Sequence, residues 1–135
     1  MSALSLLDYA AVFIFALTGA LAASRAQLDI IGFAFLATLT AVGGGTLRDL
    51  MLDRDPVFWV ANPEHIGIAC LAAVLIFFTA HRFESRARLL LWLDALALGV
   101  AVAAGVGVAM DLRFGWPIVL IMGVMTGTFG GLMRD

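Results

Sequence analysis

Lysine is missing from this chain altogether, cysteine occurs once, and charge of either sign is scarce. Charged residues make up 13% of the 135 positions, against about 25% in ordinary globular domains, while hydrophobic residues reach 63% against about 45–50%. A soluble domain of this length would lack the polar surface to cover its core. Lipid is the solvent that suits such a composition. The formal net charge of −2, with arginine as the sole strong base, gives no electrostatic footing for nucleic acid or for polybasic attachment to a membrane surface. The lone Cys70 lies in an apolar run, has no partner for an intrachain disulfide, and reads as a small buried side chain. His65 and His81 have no Cys or His at metal-ligand spacing, so neither metal nor cofactor is expected. There is no nucleophile motif, dinucleotide fingerprint or phosphate loop, and the acids stand beside arginines, so the chain is read as a non-enzyme.

What is present is a series of long uncharged runs, over 9–24, 30–47, 65–81, 95–110 and 114–133. Each approaches the roughly 20 residues of a spanning helix, and in hydrocarbon a helix satisfies its own backbone. The fold class is therefore an all-α polytopic transmembrane bundle, with helices over about 4–23, 28–53, 64–81, 89–110 and 116–135. Asn62-Pro63-Glu64 and Trp116-Pro117 are helix starts, the first combining a capping side chain, a proline and an acid at the positive end of the dipole. Trp59, Trp92 and Trp116 fall near span ends, where an indole places its ring in the interface and its N–H in water. The stretch from Tyr9 to Ala23 resembles a secretory signal, but Asp8 stands where a basic segment belongs, so it is read as a retained first span. Arg25, Arg82, Arg86, Arg88 and Arg134 lie on one side, and the positive-inside rule makes that side cytoplasmic and the N-terminus external.

The chain is also self-similar. Placing Leu7-Asp8 on Leu93-Asp94 brings Gly19 onto Gly105, Thr40 onto Thr126, Gly44-Gly45 onto Gly130-Gly131 and Arg48-Asp49 onto Arg134-Asp135, without a gap, at a constant offset of 86 residues. Matching two acids and two Arg-Asp dipeptides in one register is beyond what shared hydrophobicity produces. Three helix starts separate the copies, so the copies are inserted upside down, as in transporters with inverted repeats. The first repeat covers about 4–81, and the second, about 89–135, carries only two of its three helices.

With Thr18-Gly19-Ala20, the run from Ala41 to Asp49, and Gly130-Gly131-Leu132-Met133-Arg134-Asp135, the sequence resembles the bacterial inner-membrane family named for its "glycine transporter" domain, itself distantly similar to the TRIC (trimeric intracellular cation) channels. The resemblance spans the whole chain. It implies a bacterial inner-membrane protein of two inverted three-helix repeats plus a last helix, assembled as a trimer with one pore per protomer. Against that pattern this chain is expected to be truncated after its fifth helix.

Three consecutive glycines in a helix cost roughly 1 kcal/mol each relative to alanine. A kink or break is therefore expected at Gly43, Gly44 and Gly45, and at Gly130 and Gly131, freeing backbone groups to hold an ion or a carboxylate. Thr40 and Thr126 lie just before these sites. The alternative is close helix packing, in which Gly123, Gly127 and Gly131 form a small-residue ridge and the threonines bond their own i−4 carbonyls. Counting rise per residue puts Asp8 and Arg48 at one depth and Asp94 and Arg134 at the equivalent depth opposite. Two ion pairs are expected, as gates or as clasps, unless the arginines snorkel to the headgroups. Asp49 and Asp135 project about 100° away from their arginines on the helix, so each dipeptide can pair inward with one member and face water with the other. These features, with the resemblance, give a monovalent-cation channel, potassium-like, along the kinked helices; the alternatives are a transporter of glycine or another small zwitterionic solute, and a non-conducting scaffold.

Overall fold

A computed structural model describes residues 3–79 and 86–135. Its elements are helices α1 (Ala3–Arg25), α2 (Ile30–Met51), α3 (Phe58–Ala61), α4 (Glu64–Thr79), α5 (Arg86–Asp111) and α6 (Trp116–Arg134), with no strand among the described residues. Four of them, α1, α2, α5 and α6, are long and apolar enough to cross a membrane, and α4 is a shorter apolar helix of 16 residues. The chain is a multi-pass membrane protein. The end of the third expected span at 80–81, with His81, Arg82 and the residues up to 85, lies outside the described residues.

Local chemistry fixes the helix ends. Asp29 caps α2 by accepting from the Gly32 N–H at 2.8 Å, and Pro117 occupies the first turn of α6, where a missing N–H costs nothing. Helix α1 closes with Gln27 at φ 58° while Leu28 N–H donates to the Ala23 carbonyl at 3.1 Å; α5 closes with Arg113 at φ 65° while Phe114 N–H donates to the Ala109 carbonyl at 3.1 Å. Both are Schellman closures built without glycine. Every participant in the second is displaced from its counterpart in the first by the offset read from the sequence. The repeat therefore extends to individual backbone hydrogen bonds.

Helix α1 packs on α2, α4 and α5, and α2 packs on α6. The contacts rest on small residues: Ala16, Ala20, Ala37, Ala69 and Ala97 are completely buried, which lets backbones approach as helices in lipid require. Bulky apolar side chains such as Phe35, Leu91, Trp92 and Leu120 point outward, where hydrocarbon makes exposure cost little.

The expected breaks are absent. Helices α2 and α6 run uninterrupted through Gly43–Gly45 and Gly130–Gly131, and no described glycine has a positive φ. Interrupting a helix at membrane depth would leave backbone groups unpaired at several kcal/mol each, more than glycine's propensity deficit. These glycines instead make room. A β-carbon on Gly44 would overlap the Thr126 carbonyl, and one on Gly130 would stand 2.8 Å from the Thr40 carbonyl. Position 40 meets 130 while 44 meets 126, so α2 and α6 cross antiparallel. Equivalent helices of the two copies thus run in opposite directions, which is the inverted relation itself.

Candidate functional site

One ion pair joins the two helices of each hairpin. Arg48, in the last turn of α2, donates from Nη1 to Asp8 of α1 at 3.0 Å, and Arg134, at the end of α6, donates from Nη1 to Asp94 of α5. Arg48 does not snorkel: its side chain is 1% exposed and its guanidinium lies 5.3 Å from the centre of the Phe58 ring, a cation–π contact. Charges this deep persist because they are paired and hydrogen-bonded. Each guanidinium holds a second carboxylate through Nε, Asp49 for Arg48 at 2.8 Å and Asp135 for Arg134 at 3.0 Å.

Here the two copies diverge. Asp135 is 69% exposed, but Asp49 is fully buried. The segment after α2 folds back over it, and its carboxylate accepts from Arg54 Nη1 at 3.0 Å and from the Phe58 backbone N–H at 2.8 Å as well as from Arg48. Asp49 thereby supplies the acceptor at the start of α3, a helix of four residues too short to leave a periodic signal. The sequence reading also misplaced Trp59, whose indole N–H donates to Thr46 Oγ1 at 2.8 Å instead of to interfacial water. Trp92 and Trp116 are exposed.

The threonine hydroxyls bond within their own helices, Thr40 to the Leu36 carbonyl at 2.7 Å and Thr126 to the Met122 carbonyl at 2.6 Å. Gly43 packs against the Met133 side chain of α6 and so belongs with Gly44 and Gly130 to the crossing, whereas Gly45 packs against the Phe58 ring of α3. Gly131 is not part of the crossing, since the nearest group to a β-carbon there is Arg134 Nη2 at 3.8 Å. Sequence reasoning missed His65, which is buried, stacked on Tyr9 with centroids 4.2 Å apart and edge-on to Phe58.

Three cavities follow one another along α1. The first, about 420 Å³, is bordered by Asp8, Tyr9, Arg54, Phe58, Asn62 and His65. The second is only about 10 Å³, near the volume a single water requires, and is bordered by Asp8, Phe15, Gly44, Arg48, Ala101 and Thr126. Arg48 Nη2, buried and without a hydrogen-bond partner among the described residues, belongs to this second group of side chains. The third, about 270 Å³, is bordered by Phe15, Asp94, Leu98, Thr128, Gly131 and Asp135, and both charged residues there are acids. Asp8 and Phe58 are common to the first and second, and Phe15 to the second and third. Among the described residues no group of His, Cys, Asp and Glu is arranged to hold a metal.

A family model described as "Glycine transporter" matches residues 5–82 and 91–135. The chain is 40% identical over 133 residues to inner membrane protein YadS of Escherichia coli (strain K12), covering 96% of this chain and 63% of that protein. The chain thus spans less than two thirds of the length of that relative. A membrane protein of Vibrio cholerae is 37% identical, with 99% of this chain and 56% of that protein covered. Among solved structures, the TRIC trimeric intracellular cation channel orthologue from Rhodobacter sphaeroides matches with a TM-score of 0.96 and 47% identity over 100% of this chain and 70% of that one. A second TRIC cation channel matches at 0.82 and 28% identity, over 99% of this chain and 66% of that one.

Proposed function

Because the chain belongs to the glycine transporter family and shares its fold with TRIC cation channels, we propose that it carries a pathway for monovalent cations, potassium among them, through the centre of the bundle. The observation that carries this reading is the row of cavities along α1, from the polar one beside Asp8 to the one bordered by Asp94 and Asp135. Charge favours cations over anions. Arg48 and Arg54 are matched by Asp8 and Asp49, and Arg134 by Asp94 and Asp135, so neither cluster presents a net positive field to a passing ion. Gates at Asp8–Arg48 and Asp94–Arg134 would stand at equivalent depths in the two copies. The assembly is a trimer in the bacterial inner membrane with the N-terminus outside, in keeping with the names of the relatives and the arginine distribution.

The pathway does not depend on broken helices. That weakens the glycine-transport alternative, which needed half-helix N–H groups for the solute's carboxylate. A non-conducting scaffold would account for continuous α2 and α6 but leaves without a purpose the small cavity bordered by Arg48, whose buried Nη2 has no hydrogen-bond partner among the described residues. The full protein, purified into liposomes, separates the three. Potassium flux without glycine uptake is the expected result, saturable glycine uptake without ion flux would replace it with a transporter, and neither would leave the scaffold.

A further inference from the structure

We propose that Phe15 sets the barrier to permeation, as an apolar constriction between the second and third cavities; this rests on the channel reading above. Phe15 lies midway along α1, so at 1.5 Å per residue its ring is near the middle of the span. It is the residue common to the second and third cavities, and it is 5% exposed. Its ring fits against Gly130, where a β-carbon would stand 3.4 Å from Cε1, at the point where the Thr40 carbonyl also approaches α6. The glycine of the second motif thereby makes room for this ring as well as for the helix crossing.

The repeat supplies an independent observation. The counterpart of Phe15 at the 86-residue offset is Ala101, and Ala101 borders the same small cavity. Around them the copies agree in ion pairs, threonine hydrogen bonds and helix closures. At the centre they do not: one copy contributes a ring and the other a methyl group. A ring from each would compete for one space, whereas a methyl from each would leave the second and third cavities without the side chain they share. A phenyl ring offers no oxygen to replace an ion's hydration shell, and hydrophobic constrictions gate by dewetting. The barrier is therefore one of desolvation, set by one side chain, and is separate from the charged pair Asp8–Arg48.

Core packing alone also places a phenylalanine here, and both accounts predict that removing the ring lowers stability. They differ in flux. In liposomes holding the complete protein, Phe15→Ala is expected to raise potassium flux about tenfold, the equivalent of lowering a barrier by about 1.4 kcal/mol. Phe33→Ala is the control, since Phe33 is equally buried and packs edge-on to Phe77 but borders none of the three cavities. Its flux is expected to stay at the wild-type level. Should Phe15→Ala fail to fold, Ala101→Phe tests the same point in the other direction by adding a second ring, and is expected to suppress flux. A conducting wild type with unchanged flux in whichever of these two variants folds overturns the proposal for Phe15 and leaves the channel reading standing. A wild type that passes no potassium overturns the channel reading itself.

Discussion

Gly44 of α2 lies against the carbonyl of Thr126 on α6, and by the internal symmetry Gly130 of α6 lies against the carbonyl of Thr40 on α2. The contact is backbone against backbone, so no side-chain rearrangement can relieve an added methyl group. Gly44→Ala and Gly130→Ala are each expected to destabilise the protein by about 1–3 kcal/mol, the usual cost of overpacking. Gly131→Ala is expected to be neutral or to stabilise by about 0.5–1 kcal/mol, because its surroundings are open and alanine is the better helix former. Thermal unfolding of the three variants in detergent checks the contrast, and equal losses would contradict it.

Asp49 offers a second contrast. Replacing it with alanine strips the buried Arg48 of one partner, and removes the acceptor for Arg54 and for the Phe58 N–H. Removing one member of a buried ionic network costs about 3–5 kcal/mol. Asp135→Ala, at the equivalent but exposed position, is expected to cost about 1 kcal/mol or less. Unfolding midpoints for both variants decide this; an Asp135 variant as unstable as the Asp49 one would show that the folded-back segment is not the cause.

Much of this was legible because charge is so rare in the sequence. Asp8, Arg48, Asp94 and Arg134 stand out from their apolar surroundings, and their common offset gives the repeat, its inversion and the two pairings. The glycines were half legible. Sequence shows where a side chain is missing but not whether the vacancy serves bending or close approach, and for Gly44 the deciding partner, Thr126, lies on another helix far along the chain. Asp49 was illegible for a related reason: its burial depends on Arg54 and Phe58 returning over the end of α2, and neither belongs to a periodic pattern. Phe15 is hidden in an apolar run, although its pairing with Ala101 in the repeat alignment was the available signal.

Asp135→Asn separates a charge effect from a structural one. The residue is exposed and borders the third cavity, so its loss should leave stability nearly unchanged while removing a negative charge from that mouth. Potassium flux is expected to fall at low ionic strength and to recover toward wild type near ~1 M salt, where the screening length is only ~3 Å. Flux measured across a salt series checks this; a deficit that persists at high salt would point to a changed structure.

The most direct test of a pathway inside the bundle is chemical access to its walls. With Cys70→Ser as background, Leu98→Cys places a thiol beside the third cavity and Leu120→Cys places one on the outward face of α6. A water-soluble, positively charged thiol reagent applied to the complete protein in liposomes is expected to cut potassium flux through the Leu98→Cys variant and to leave the Leu120→Cys variant unchanged. Labelling at Leu98→Cys, verified by mass, with undiminished flux would contradict the account.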